Sequence, residues 1–302
     1  MAHPRVPTPR LPAVLALVGA LLFTLLPAAP ASAATTYATT YAELNCNWQG
    51  YTAGESVDGV DLTWAKGSGS SRRYIRAQRL ADLLRGQVKA SLYALTECDT
   101  QMLDDLVHLM GSQWEHIGGD NTSQNRTGWL YDSGKWSPGK LSTTTLPGDP
   151  DGGYTGRRLL QVGFSRKVTG TDPMLSVAMT HLSSGNPEAR DLQMRAALAK
   201  MDGKVRLLAG DLNASTPPGE TPCDEPGPRS QLACAGWDEY GSDVPSWHDY
   251  GRNLPGLALD VVAVSPAAQA AGRITLTSRR TVDTAPTYAS DHRVLVVGVA
   301  FS

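Results

Sequence analysis

The sequence predicts an α/β protein whose strands deliver polar groups at their ends. Three observations carry that reading. Short runs of strand-forming residues each stop at an amide, a carboxylate or an imidazole; amphipathic helical stretches lie between them; and no internal repeat or linker divides the chain.

The first 33 residues carry Arg5 and Arg10, an apolar stretch from Leu11 to Leu26, and the exit Ala31-Ser32-Ala33. This is the pattern of a secretory signal peptide cleaved after Ala33. A membrane span is the alternative, which the Pro-rich flanks and small-residue exit disfavour. One domain, residues 34–302, is expected to follow, secreted to the extracellular space.

From there each element has a local reason. Thr35 to Gln49 reads as a strand closing on Asn45-Cys46-Asn47, and Val57 to Ser71 as a Gly/Ser-rich loop. Arg72 to Arg85 reads as a helix, with Ala77, Leu80, Ala81 and Leu84 as its buried stripe. Arg72, Arg76 and Arg79 are placed on the opposite face, as solvated surface or as a phosphate-backbone contact. Leu92 to Thr96 is a strand ending at Glu97, and Thr100 to Met110 a helix. Thr127 to Trp136 and Arg158 to Arg166 read as two strands around a Gly/Pro/Asp loop from Pro147 to Gly156. Ser176 to Leu182 delivers His181, and Ala189 to Met201 is a further helix.

Val205 to Ala209 stops at Gly210, and alternation places Asp211 and Asn213 on one face beyond it. Pro217 to Pro245 is a long irregular excursion, where specificity often resides. Leu257 to Ser265 buries Asp260 inside an apolar strand, which is costly without a partner. His292 is the natural one, in Ser290-Asp291-His292, which leads into the strand Val294 to Ala300.

The whole chain holds 27 basic and 29 acidic residues; without the two leader arginines 25 basic remain, a formal charge of −4. That argues against a tight non-specific grip on long nucleic acid, but not against a nuclease that turns its substrate over, because local patches and Mg²⁺ can supply positive charge. Cys46, Cys98, Cys223 and Cys234 all follow the leader, where oxidation is expected, and three pairings are open. A zinc site lacks any close Cys-x-x-Cys spacing.

In order, Asn, Glu97, His181, Asp211-Leu212-Asn213, Asp260 and Asp291-His292 resemble the endonuclease/exonuclease/phosphatase superfamily, over nearly all of the expected domain. Thr180-His181-Leu182, Arg190 and Gln193 on the next helix, and Trp247-His248-Asp249 add to the likeness. The resemblance implies the DNase I-like fold, a four-layer α/β sandwich of two packed mixed β-sheets flanked by helices, with the site at one end. It implies Mg²⁺ as cofactor, with Mn²⁺ or Ca²⁺ as alternatives. Glu97 is the leading ligand, joined by Asp291 and an asparagine: Asn47 through its Asn-x-x-Gly spacing to Gly50, or Asn45.

A phosphodiester repels nucleophiles, so such a site must neutralise charge, activate water and protect the leaving oxygen. His292 oriented by Asp260, or Asp211 with Asn213 aligning water or phosphate, takes the proton. His181 donates to a phosphate oxygen or to the leaving group; DNases of the family support that histidine with a glutamate where this chain has Asn125. Arg126, Arg157 and Arg158 are phosphate contacts, while His108, His116 and His248 are structural. The implied fold favours Cys46 with Cys98, on neighbouring strands, and Cys223 with Cys234.

Three functions are compatible. An extracellular Mg²⁺-dependent endonuclease on DNA or RNA fits the leader, the two histidines and the arginine stripe. A sphingomyelinase-type phospholipid phosphodiesterase, or another phosphatase of the fold, shares the same residues. It would reach a lipid surface through Trp237, Tyr240, Trp247 and Tyr250, among which Asp238, Glu239, Asp243 and Asp249 are unfavourable. A catalytically silent binding module would have lost Glu97, Asp211 or His292, and none is lost. No stable protein partner is implied.

Overall fold

Strands apolar on both faces must be covered on both sides. Val294–Phe301 is buried except at Ala300, and Leu207–Asp211 throughout. In the computed structural model two sheets meet face to face and helices cover each outer face. It describes residues 35–47, 56–57, 60–61, 70–119, 126–148, 156–168, 173–201, 203, 205–215, 227–241, 245–249, 254–284 and 289–302. The expected leader lies outside them, and among them no helix is long and apolar enough to cross a membrane.

The first sheet runs β16 (Ile274–Val282), β17 (Val294–Phe301), β1 (Tyr37–Asn45), β4 (Leu92–Thr96), β6 (Gly128–Asp132), β5 (Trp114–Gly118). The second runs β12 (Asp238–Tyr240), β15 (Asp260–Val264), β11 (Leu207–Asp211), β10 (Met174–His181), β9 (Arg158–Arg166), β7 (Trp136–Pro138), with β8 (Ser142–Thr145) on β9. Both sheets are mixed, β1 with β4 and β10 with β11 being the parallel pairs. Two small ribbons, β2 (Ser56–Val57) with β3 (Val60–Asp61) and β13 (Trp247–Asp249) with β14 (Leu254–Leu257), complete the strands.

Aromatic residues fill the space between the sheets. Trp136 stacks on Phe301 at 5.8 Å between ring centroids. The buried indoles keep partners, Trp136 Nε1 donating to Ser91 Oγ at 3.0 Å and Trp129 Nε1 to the Tyr41 hydroxyl at 3.3 Å. Outside the first sheet, α1 (Ser70–Leu83), the helical turn that follows it and α2 (Thr100–Met110) bury Leu80, Leu84, Met102 and Leu103. Outside the second, α3 (Pro187–Met201) and α4 (Pro228–Cys234) bury Met194, Ala197, Met201 and Leu232, and the short α5 (Pro266–Ala270) precedes β16. These are the four layers of the DNase I-like sandwich.

Several local expectations need correction. The stripe Ala77, Leu80, Ala81 and Leu84 is buried, but so is Arg76, at 1 % exposure. Arg76 precedes Leu80 by four residues and so shares its face rather than the solvent face; Arg76 therefore drops out as a phosphate contact, Arg79 is half-buried, and the Arg72 side chain lies outside the described residues. The run Thr127 to Trp136 is not one strand: a turn at residues 133–135 sends β6 into one sheet and β7 into the other. Asp260 opens β15 instead of sitting within a strand, and β14 ends before it. The excursion from Pro217 contains α4 and β12, and β12 pairs with β15.

Gly210 sits at φ +146°, where a Cβ would run into the carbonyl oxygen of Thr180 on β10. Only glycine lets the two parallel strands close here, immediately before Asp211. Gly210→Ala should lower stability by more than about 2 kcal/mol. Gly272→Ala, at φ +60° with open space around it, should lose only about 1 kcal/mol. Thermal unfolding of the two variants reads the difference.

Candidate active site

Strand register assembles the site. Parallel pairing of β10 with β11 sets His181 beside Asp211, and antiparallel pairing of β11 with β15 sets Asp211 beside Asp260. Across the sandwich, β1 ends at Asn45 next to Thr96 of β4, so Glu97 follows at the same mouth. Ser290-Asp291-His292 enters from β17's side, its Ser290 Oγ donating to the Asn45 carbonyl at 2.6 Å. Three of the described non-glycine residues with positive φ, Asn47, Glu97 and Asn213, stand at these mouths; the fourth, Lys89, ends the turn after α1.

Asp211 is the hub. Its Oδ2 accepts from Asn45 Nδ2 at 2.9 Å and its Oδ1 from the Asn213 amide nitrogen at 2.8 Å. His181 Nε2 faces Oδ2 from 3.7 Å and His292 Nε2 from 4.0 Å. His292 Nδ1 lies 2.6 Å from Asp260 Oδ2, a carboxylate that orients the ring. His181 Nδ1 is met differently, by Arg157 Nη1 at 3.0 Å. Arg190 Nη1 donates to the Ser183 and Ser184 carbonyls, and Gln193 Oε1 accepts from the Ser183 nitrogen, so α3 pins the backbone just past His181.

The expected metal ligands form a second, more open group. Glu97 and Asp291 are only partly covered. Burial and then the charge of Asp291 raise the Glu97 carboxyl above the usual range, and burial raises Asp291 despite the Trp247 Nε1 donor at 3.2 Å. Two crowded carboxylates of this kind favour a cation, and hard oxygen donors suit Mg²⁺. Among the described residues, ligand atoms of Asp211, Asp260 and His292 also lie within 4.8 Å of one another, a spacing that could hold a divalent ion. Those atoms are buried and engaged with each other and with Asn45, whereas Glu97 and Asp291 are partly exposed.

Other expectations shift. Asn45, not Asn47, touches Asp211; Asn47 donates its backbone nitrogen to Asn45 Oδ1 at 2.8 Å, and the expected Asn-x-x-Gly partner Gly50 lies outside the described residues. Asn213 lies two residues past the end of β11 at φ +50°, so strand alternation does not set its direction, and its side-chain amide donates to the Leu182 carbonyl at 2.9 Å. Arg157 is buried against His181; Arg126 and Arg158 are partly exposed near the same mouth, Arg126 O accepting from Cys98 N and Arg158 O from Thr180 Oγ1. Cys46 and Cys98 are free buried thiols, not a disulfide. The β1–β4 register sets Cys98 one residue past the position opposite Cys46, so the thiols touch without facing. Cys223 and Asn125 lie outside the described residues.

Sequence reasoning missed three supports. Glu43, fully buried, shares the inward phase of Tyr41 and Asn45; burial, then Asp260 and Asp211, push its carboxyl well above the usual range. Neither Glu43 oxygen nor Asp260 Oδ1 has a well-formed hydrogen bond. Ser246 Oγ accepts from the nitrogens of Leu259 and Asp260, and Arg229 Nη2 donates to the carbonyls of Ala258 and Asp260. The only local signal was an acid or arginine in an otherwise apolar pattern.

No family model matches the sequence, and no curated protein matches it significantly. Solved structures do. An endonuclease/exonuclease/phosphatase from Bacteroides vulgatus superposes with a TM-score of 0.66 at 15% identity, covering 88% of this chain and 100% of that one. D. rerio TDP2, humanized by 14 mutations, gives 0.62 at 15% identity over 87% and 98%. A mannosyl-6-phosphatase from Bacteroides thetaiotaomicron gives 0.59 at 16% identity over 86% and 99%. The chain therefore has the endonuclease/exonuclease/phosphatase fold.

The two histidines are pushed in opposite directions. Burial, then Arg157, lowers His181 to about 3; burial would lower His292 too, but Asp260, Asp291 and Asp211 outweigh it and raise His292 to about 10. The unfolded value is about 6.5. The depressed His181 contributes stability that is complete above about 6.5 and lost as pH falls toward about 3. The raised His292 contributes stability that is complete below about 6.5 and lost as pH rises through about 10. In the metal-free protein, urea unfolding across pH should flatten on the acid side in His181→Gln and on the alkaline side in His292→Gln.

Proposed function

We propose that this protein is a secreted, metal-dependent phosphodiester hydrolase acting on nucleic acid. One observation carries the reading: a single buried carboxylate, Asp211, faced by the Nε2 atoms of two imidazoles and adjoining a partly open pair of carboxylates. Glu97 and Asp291, with Asn45 hydrogen-bonded to Glu97, would hold Mg²⁺. A bound Mg²⁺ ion supplies positive charge to the phosphoryl oxygens. Asn45 and the Asn213 nitrogen hold Asp211 so that Oδ2 aligns the attacking water and takes its proton. His292, braced by Asp260, and His181 flank the phosphoryl group. The partly exposed Arg126 and Arg158 add positive charge where the phosphate backbone would pass.

Support for the substrate class comes from neighbours of the fold, TDP2 having been crystallised with a single-strand DNA product and the human Nocturnin catalytic domain with a bound sulfate anion. The leader supports secretion. The phospholipid reading loses its aromatics: Trp237 packs on the outer core, Tyr240 is buried with its hydroxyl on Thr281, and Trp247 donates to Asp291. Tyr250 lies outside the described residues.

Supercoiled plasmid, RNA, sphingomyelin vesicles and a sugar phosphate, each with Mg²⁺ and with EDTA, should separate the substrates. Cleavage of nucleic acid only with Mg²⁺ is the expected result; phosphocholine or phosphate release with intact plasmid would replace it. Asp211→Ala and His292→Ala should each lower the rate at least about 100-fold, with circular dichroism unchanged.

A further inference from the structure

We propose that Arg157 is a positioning residue that fixes His181 as a neutral ring with its proton on Nε2, making this histidine a permanent hydrogen-bond donor to a phosphoryl oxygen rather than a source of protons. The proposal rests on the hydrolase reading for its phosphoryl partner, but not for the state of the ring.

The argument is one of valence. Arg157 Nη1 lies 3.0 Å from His181 Nδ1, and both side chains are buried, at 5 % and 7 % exposure. A guanidinium nitrogen only donates and the group does not lose its charge in proteins. Nδ1 must therefore accept, which only an unprotonated ring nitrogen can do. While the contact stands, His181 is neither an imidazolium nor the Nδ1–H tautomer, and its one proton is on Nε2. That atom is the one turned toward the site, 3.7 Å from Asp211 Oδ2 and 4.0 Å from Glu97 Oε1.

His292 is the contrasting case. It also turns Nε2 toward Asp211, but its Nδ1 meets a carboxylate, Asp260 Oδ2, at 2.6 Å. A carboxylate accepts, so Nδ1 carries the proton there and Nε2 is free to accept or donate. Of two histidines facing one carboxylate, one can change protonation state and the other is held in a single state.

Local structure puts Arg157 in place. The β9–β10 register pairs Leu159 with Thr180, so the chain two residues before Leu159 runs past the end of β10, beside His181. Leu146 N donates to the Arg157 carbonyl at 2.8 Å and steadies that end of β9. The arginine expected to grip a phosphate thus acts through the histidine.

The test reads the ring directly. Two-bond ¹H–¹⁵N spectra of ¹⁵N-histidine-labelled, metal-free protein at pH 7 should show His181 as the Nε2–H tautomer, unchanged at pH 5. An imidazolium or an Nδ1–H pattern at pH 7 would overturn the proposal, whatever the variants do. Arg157→Gln keeps a donor and should keep the tautomer, with kcat within about tenfold of the parent. Arg157→Glu replaces the donor with an acceptor; it should flip the tautomer and lower kcat at least about 100-fold with KM little changed. A raised KM with the tautomer unmoved in Arg157→Glu would return Arg157 to direct phosphate contact and defeat the positioning role. An Nε2–H tautomer in a protein that hydrolyses no phosphodiester would support the Arg157 assignment and sink the hydrolase reading.

Discussion

The hydrogen bond from Asn45 to Asp211 joins two residues 166 positions apart, one from each sheet, at the end of the sandwich where every candidate catalytic side chain gathers. Its dependence on register is absolute. A one-residue slip of β1 would turn Asn45 and Glu43 toward the helices and bring Ala42 and Leu44 inward, because side chains alternate along a strand. The buried amide also meets a demand of Asp211, which at 2 % exposure needs donors in place of water. Joining the sheets and satisfying the carboxylate are the same contact.

Around that bond the acids sort by depth. Glu43, Asp211 and Asp260 lie inside; Glu97 and Asp291 lie at the rim. The inner three are accommodated without an ion: Asp211 by Asn45 and the Asn213 nitrogen, Asp260 by His292, and Glu43 by a carboxyl group whose charged form is disfavoured by burial. The rim pair, steadied by Asn45 on Glu97 and by the Trp247 donor on Asp291, still carries mutual repulsion, which a cation keeping several waters would relieve. Depth therefore separates the group proposed to handle the proton from the group proposed to hold the metal.

Much of this was legible in the chain. The helix Thr100–Met110 follows from its 3.6-residue period and the Asp99 cap, whose side chain accepts from the Met102 nitrogen. The site residues showed themselves because each stands at one end of an apolar run. What failed was phase and distance. Arg76 reads with Arg72 and Arg79 as the face opposite the buried stripe, although its spacing to Leu80 places it inside. The strands Trp114–Gly118 and Ile274–Val282 carry too many polar residues to announce themselves, being partly exposed members of the first sheet. Glu43 beneath Asp260 and Arg157 against His181 depend on how distant strands are laid side by side, and no local pattern encodes that.

Asn47, Glu97 and Asn213 share a left-handed backbone, and for a glutamate this conformation has no side-chain compensation of the kind asparagine finds. Each such residue holds its place at about 1 kcal/mol or more against the fold. Glycine would sit there with less strain and carry no chemistry. The mouths of these strands are therefore where the molecule is less stable than its scaffold allows, and drift toward greater stability would erode them first. Glu97 in that conformation gives up stability at the strand mouth where the proposed hydrolysis would use its carboxylate.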